Sequence, residues 1–346
     1  MKAAIFKGKQ DVELGERPDP TIQEPTDAIV RVVRGCVCGS DLWYYRGVLE
    51  HKVGSIGHEH IGVIEEVGDE VHDLKPGDFV IAPFTFNDGT CPACMAGFQS
   101  NCEHGGGFGN GDNDGGQGEF TRVPFADATL VKVPGEHFSE EQLASFTALS
   151  DVMSTGYHAA VSANVKPGDA VAVVGDGAVG LCAVIAAKKL GAERILVLSR
   201  NPARQEVAKE FGATDIIEER GEEAVKKIMA LTGDVGVEAA LECVGSDESI
   251  ATCVGATRAG GMIGAVGVPT YTDFNYKDLF RKNVGIRGGV APARQYIPEL
   301  LEDVLAGTIN PGRVFDLTVG LEDIKEAYAA MDERRAIKSL ITVSEV

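Results

Sequence analysis

Positive charge is scarce in this chain. Its 346 residues carry 32 Lys and Arg against 52 Asp and Glu, a formal charge of −20. That balance argues against a nucleic-acid polyanion or an acidic membrane surface as partner. Long apolar runs are missing as well. The N-terminus, Met1-Lys2-Ala3-Ala4-Ile5-Phe6-Lys7, offers no signal-peptide core, and no later segment reaches membrane-spanning length. A disulfide framework is not expected either, because eight cysteines in a chain of this size suit a reducing, cytoplasmic setting. Three of them, Cys91, Cys94 and Cys102, crowd one loop, whereas Cys182, Cys243 and Cys253 fall in patterned apolar segments and read as core. What remains is a globular chain, 44% hydrophobic with mean hydropathy −0.01, long enough for two domains.

The first third reads as β-rich, with strand-like runs at 28–33 and 61–67 bounded by Gly, Asp and Pro. Lys75-Pro76-Gly77-Asp78 and Lys166-Pro167-Gly168-Asp169 each place Pro then Gly at the centre of a type II turn. The stretch 105–118, dominated by Gly, Asn and Asp, reads as a loop too polar and flexible for a core element. From about residue 151 strands and helices alternate. A strand at 171–174 leads into a helix to Leu190. A strand at 195–198 follows, then a helix over 202–211 with Asn201 as N-cap and Pro202 at its first position. The pattern continues through a strand at 237–241, a helix over 246–258 and a strand at 262–266. This grammar is that of a parallel sheet covered by helices on both faces. Helices over 296–305 and 321–331 precede a last strand at 339–343, which is expected to rejoin the first domain.

Gly175-Asp176-Gly177-Ala178-Val179-Gly180 fits the dinucleotide fingerprint G-x-G-x-x-G, and it stands between an apolar strand and a helix. The first glycine allows the tight turn, the second lets a pyrophosphate approach the backbone, and the third lets helix and strand pack closely. An acidic residue is absent at the end of the next strand, where an NAD-selecting chain usually binds the ribose 2′-hydroxyl. Ser199-Arg200-Asn201-Pro202-Ala203-Arg204 stands there instead. A hydroxyl and two guanidinium groups can hydrogen-bond a 2′-phosphate, and Arg200 and Arg204, about one helical turn apart, can close on one phosphate. The expected coenzyme is NADP(H).

Cys38-Gly39-Ser40-Asp41 and Gly57-His58-Glu59-His60 supply a thiolate, an imidazole and a carboxylate in a short span, a donor set that suits zinc. A catalytic zinc takes three protein ligands and keeps one position open. These two motifs, the glycine fingerprint and the order of segments resemble the zinc-dependent medium-chain alcohol dehydrogenases over essentially the whole chain. The resemblance implies an α/β protein in which a GroES-like β-rich catalytic domain is split around a Rossmann doubly wound domain. The boundaries expected are 1–152, 153–290 and 291–346, with the active site in the cleft between domains.

Carried over by position, Cys38 and His58 bind the catalytic zinc. Asp151, in Leu149-Ser150-Asp151-Val152-Met153-Ser154-Thr155-Gly156, is the third ligand. Glu59 acts from beside the ligand histidine or binds zinc transiently during water exchange. Ser40 hydrogen-bonds the substrate oxygen and starts the proton relay, and Val266-Gly267-Val268-Pro269 lies beside the nicotinamide ring. The histidine that usually continues the relay is missing: Leu42-Trp43-Tyr44-Tyr45 stands there, and Trp43 narrows the pocket toward aromatic or compact substrates. A full set of four lobe cysteines is missing too. Cys91, Cys94 and Cys102 match the last three positions of a structural zinc site and Asp88 falls on the first, so Asp88 or His104 is the fourth ligand. The alternative is a degenerate lobe without metal. The expected protein is an NADP(H)-dependent oxidoreductase acting on an alcohol, ketone or aldehyde, as a homodimer or homotetramer. Its rivals are a polyol or sugar dehydrogenase of the same fold and a catalytically silent NADPH-binding protein.

Overall fold

The chain divides into two units, Met1–Asp151 with Pro292–Val346, and Val152–Ala291. The computed structural model describes residues 1–111, 113–270 and 276–346. Asp112, inside the 105–118 stretch, lies outside the described residues.

The first unit is built on the strand Ala28–Cys36, whose nine residues are buried except Arg31. Such a run can be apolar on both faces because it is enclosed rather than laid over a solvent-facing surface. It pairs antiparallel with His60–Val67, Phe120–Val123 and Lys338–Thr342. The last pairing sets Leu340 opposite Cys36 and Ile341 opposite Gly35, so chain from the far C-terminus sits beside Cys38. Phe79–Ala82 adds to the other side of His60–Val67, and Phe315–Gly320 runs parallel to Lys338–Thr342. Val30, Ile64, Val80, Phe86 and Phe108 share one core beneath this sheet.

The stretch 105–118 departs from the expectation of a loop kept outside the core. Gly115, Gly116, Gln117 and Gly118 are all buried. A Cβ on Gly115 would stand 2.3 Å from the Ile56 carbonyl oxygen, and one on Gly116 would stand 2.7 Å from the His60 Cβ. The glycines therefore permit close backbone approach instead of supplying flexibility. Gln117 satisfies its polar end inside the core, donating to the Cys36 carbonyl at 3.0 Å and accepting from the Tyr328 hydroxyl at 2.9 Å.

In the second unit six strands are all parallel. Their spatial order is Asp215–Ile217, Arg194–Leu198, Ala170–Val174, Val237–Glu242, Thr257–Ala265 and Gly285–Gly288. Numbered along the chain this is 3-2-1-4-5-6, the doubly wound order whose switch point lies beside the first strand. The helix Ala178–Lys189 is buried over Gly180–Ala187 because it covers the sheet. Asn201 caps the helix Pro202–Phe211 by accepting from the Ala203 and Arg204 N–H groups, and Gly212 closes it at φ 118°. The helix expected over 246–258 is Asp247–Ala256, ending where β-branched Thr257 opens the next strand. Among the described residues no helix is long and apolar enough to cross a membrane.

Candidate active site and metal clusters

Cys38, His58, Glu59 and Asp151 offer ligand atoms that all lie within 4.8 Å of one another. Three separate segments deliver them: the end of the central strand, the turn before His60–Val67, and the chain just after the helix Glu140–Leu149. Asp151 Oδ2 lies 3.5 Å from Cys38 Sγ and 3.3 Å from His58 Nε2. The other ring nitrogen, His58 Nδ1, lies 3.4 Å from Asp41 Oδ1, while Asp41 Oδ2 accepts the Cys38 N–H at 3.0 Å. One carboxylate thus holds both the ring and the backbone of the cysteine, and it leaves Nε2 facing the cluster.

Glu59 is fully buried, and its partner is equally buried. Lys338 Nζ donates to Glu59 Oε1 at 2.7 Å and to the Val37 carbonyl at 3.0 Å, whereas Glu59 Oε2 has no hydrogen-bond partner among the described residues. Burial works against the Lys338 charge, yet Cys36, Glu59, Cys38 and Asp151 together hold its pKa well above the usual lysine value. Burial also pulls the His58 ring down, but Cys38, Asp41 and Asp151 outweigh it and raise the imidazole well above its ordinary value. Burial pushes the Cys38 thiol up, and the Glu59 carboxylate adds to this. This environment welcomes positive charge at the centre of the cluster. A thiolate, an imidazole and a carboxylate around such a point fit a zinc ion, which would also reverse the pressure on the thiol.

Ser40 occupies the N-cap position of the short helix Asp41–Tyr45 but makes no side-chain capping bond, and Trp43 is half-buried on that helix.

A second cluster brings Asp88, Cys91, Cys94 and Cys102 within the same 4.8 Å limit. The Cys91 and Cys102 sulfurs are 3.8 Å apart, and all eight cysteines are free thiols. Asp88 Oδ1 accepts the N–H groups of Thr90 and Cys91 at 2.8 and 3.0 Å, and its Oδ2 meets His104 Nδ1 at 2.6 Å. Of the two fourth-ligand alternatives, Asp88 is the one inside the cluster, and His104 stands behind it. Burial would raise the Asp88 carboxyl, but His104 and the two backbone donors hold it well below the carboxylate range. Backbone N–H groups of Cys94 and Glu103 lower the Cys91 thiol, while burial raises that of Cys94.

In the glycine fingerprint Gly175 has φ 122°, and a Cβ on Gly180 would stand 1.9 Å from the Gly175 carbonyl oxygen. Around Gly177, which opens the helix Ala178–Lys189, a Cβ would meet nothing within 4 Å. Turn, tight packing and open approach thus fall on the three positions that a pyrophosphate cradle requires, with Ala178 and Val179 presenting the first helical N–H groups. Val266 follows the strand Thr257–Ala265, its N–H bonded to the Glu242 carbonyl at 2.9 Å, and Val268 is exposed. Arg200 is exposed. Ser199 and Arg204 differ from the expectation that they stand open to a phosphate. Ser199 Oγ donates to Asp176 Oδ2 at 2.8 Å, and Arg204 is buried with Nη1 3.2 Å from the Asp176 carbonyl oxygen and 3.4 Å from Oδ1. The physical reason is a carboxylate in the glycine turn, which draws both donors inward.

Comparison with known proteins agrees with this layout. An alcohol dehydrogenase GroES-like domain model matches residues 24–135, and a zinc-binding dehydrogenase model matches residues 178–306. A zinc-type alcohol dehydrogenase-like protein of Bacillus subtilis is 32% identical over 96% of this chain and 97% of its own length. A probable zinc-binding alcohol dehydrogenase of Mycobacterium tuberculosis is 32% identical over 96% of this chain and 86% of its own. The chain belongs to the zinc-type alcohol dehydrogenase family. An alcohol dehydrogenase from Thermus sp. ATN1, of solved structure, superposes with a TM-score of 0.91 at 36% identity, covering 99% of this chain and 100% of its own. Membership makes the chain an alcohol dehydrogenase-type oxidoreductase with a GroES-like unit and a Rossmann unit. It implies zinc, a nicotinamide coenzyme and small alcohols or aldehydes as reactants.

Three residues of these sites were not marked by sequence reasoning. Asp41 stood in the quoted zinc motif without a role. Lys338 had a signal, as the one cation in the apolar run Ile337-Lys338-Ser339-Leu340-Ile341. Asp176 was read only as the variable position between two glycines.

Proposed function

We propose that this chain transfers a hydride between NADP(H) and an alcohol/ketone or alcohol/aldehyde pair, with Cys38, His58 and Asp151 holding the catalytic zinc. The observation that carries the reading is the convergence of these three donors on one buried point, 113 positions separating Cys38 from Asp151. Zinc, when bound, supplies Lewis acidity toward the reacting oxygen. The chain supplies the rest. Asp41 fixes the tautomer and tilt of the His58 ring. Lys338 holds the Glu59 carboxylate beside the ligand set. The Ser40 hydroxyl, unused as a helix cap, takes the proton of the alcohol and passes it outward. The step after Ser40 runs through water and the coenzyme ribose or another side chain, because Leu42-Trp43-Tyr44-Tyr45 offers no relay histidine.

The fingerprint glycines cradle the pyrophosphate, Val266 and Val268 border the nicotinamide, and exposed Arg200 pairs with the 2′-phosphate. Asp88, Cys91, Cys94 and Cys102 bind a second, structural zinc. The exposed edge strand Gly285–Gly288, with Ile286, Val290 and Phe280 also exposed, suits a dimer or tetramer in a reducing cytoplasm. Metal analysis of purified protein, joined to a screen of ketones and aldehydes that follows oxidation of NADPH, tests the reading. Zinc with NADPH-linked turnover is expected. Coenzyme binding without turnover of any carbonyl compound would favour the silent-binder alternative.

A further inference from the structure

Asp176 sits between the first two glycines of the fingerprint, yet its carboxylate reaches the end of the second strand. Ser199 follows the strand Arg194–Leu198 directly, and its hydroxyl donates to Asp176 Oδ2 at 2.8 Å. That strand end is where a Rossmann domain reads the ribose 2′-oxygen. The corner therefore does contain an acid, delivered from the glycine turn rather than from the strand. A bare carboxylate there accepts a 2′-hydroxyl and repels a 2′-phosphate. This one is not bare. The helix Pro202–Phe211 points Arg204 back at it, with Nη1 3.4 Å from Oδ1 and 3.2 Å from the Asp176 carbonyl, and both side chains are nine-tenths buried.

We propose that Asp176 is a coenzyme-specificity residue, and that Arg204 is the positioning residue that neutralises it so that a 2′-phosphate is accepted. This rests on the NADP(H) reading above. Arg204 offsets the Asp176 charge, Gln205 ties down the nearby Glu218 carboxylate at 3.0 Å while donating to the Ser199 carbonyl, and exposed Arg200 is the cation offered to the phosphate. Ser199 is bound to the same carboxylate, so its hydroxyl supports the pair.

The test is fluorescence titration of the full-length protein with NADPH and with NADH, for the wild type, Arg204→Gln, Asp176→Asn and the double variant, each checked by thermal melting. Arg204→Gln should weaken NADPH about tenfold or more and leave NADH within about threefold or bound more tightly, because the uncovered charge repels a 2′-phosphate and accepts a 2′-hydroxyl. Adding Asp176→Asn to Arg204→Gln should return NADPH to within about threefold of the wild type. Equal losses for both coenzymes in Arg204→Gln overturn the proposal, since a pair that merely supports the fold acts on both. A double variant as weak for NADPH as Arg204→Gln also overturns it, because Arg204 would then be holding the phosphate itself. Should Arg204→Gln fail to fold, Asp176→Asn alone is decisive, because it removes a charge without emptying the corner. Its NADPH-to-NADH affinity ratio should hold or rise, and a fall in that ratio overturns the proposal. The NADP(H) reading fails by a different result, a wild type that binds NADH more tightly than NADPH, and the changes in ratio still report on the pair.

Discussion

The two clusters meet the same geometric limit, four ligand groups within 4.8 Å, and are built in opposite ways. Asp88, Cys91, Cys94 and Cys102 come from one short stretch of chain, and the backing His104 side chain is 65% exposed. Cys38, His58, Glu59 and Asp151 come from three segments, and the backing Lys338 is buried as the first residue of a strand from the far end of the chain. The local cluster is rich in sulfur and steadied by its own backbone N–H groups, as suits a closed structural site. The assembled cluster mixes nitrogen, sulfur and oxygen, and carries one carboxylate more than a three-ligand site needs. That extra carboxylate is what Lys338 restrains. A site formed by distant segments depends on the whole fold, and a local one depends on its loop.

The widest separation between them should come from matched cysteine replacements. Cys38→Ser should lose the catalytic zinc and about three orders of magnitude in turnover, since Lewis-acid assistance of several kcal/mol disappears and about 1.4 kcal/mol is tenfold. Coenzyme affinity should survive. Cys91→Ser should release the other zinc and leave turnover within about threefold, because that cluster shares no residue with the one around Cys38. Metal stoichiometry beside steady-state rates decides it, and a Cys38→Ser protein that keeps turning over refutes the assignment of that ligand. Next in size is Lys338→Met. Removing the ammonium leaves Glu59 buried without compensation, at a cost of about 3 kcal/mol or more. Urea denaturation should record that loss, and Glu59→Gln in the same chain should restore most of it. If Lys338→Met unfolds at the same midpoint as the wild type, the buried pair is not what holds this corner.

The two sites were unequally legible for the same reason that they differ. The local one is nearly complete in the sequence: the spacing of Cys91, Cys94 and Cys102 names three members, and the remaining choice between Asp88 and His104 needed only the direction of one side chain. In the other, Cys38 and His58 carry a motif, but Asp151 was reached only through the family resemblance, since no spacing links it to Cys38. Lys338 could not be placed at all, because antiparallel pairing of Lys338–Thr342 with Ala28–Cys36 is a long-range fact. The parallel sheet was readable because alternating strands and helices admit few topologies. The buried half of 105–118 was not, because glycine serves an exposed loop and a close backbone contact equally well. Ser199, Arg200 and Arg204 show the limit most plainly. Their donors were visible, but Asp176, which claims two of them, lies 23 residues before Ser199 and meets it only through the parallel sheet.

The smallest effect should come from the local cluster's outer pair. Asp88 raises the His104 imidazole, and His104 in turn helps hold the Asp88 carboxyl low. A histidine raised in the folded state adds stability that is fully present below its unfolded value of about 6.5 and is lost as pH climbs through the raised value. A carboxyl lowered in the folded state adds stability that is present above about 4 and is lost as pH falls through the lowered value. The pair therefore contributes most between about pH 4 and pH 6.5. His104→Ala should shift the urea midpoint of the metal-free protein downward at pH 6 and by progressively less toward pH 9, while turnover of the zinc-loaded protein stays at the wild-type level. Being exposed to solvent, the contribution should also shrink in high salt. A His104→Ala deficit that is constant across this range would mean that the ring contributes packing rather than charge, and the contrast between a locally steadied cluster and a globally assembled one would then rest on the backbone donors to Asp88 alone.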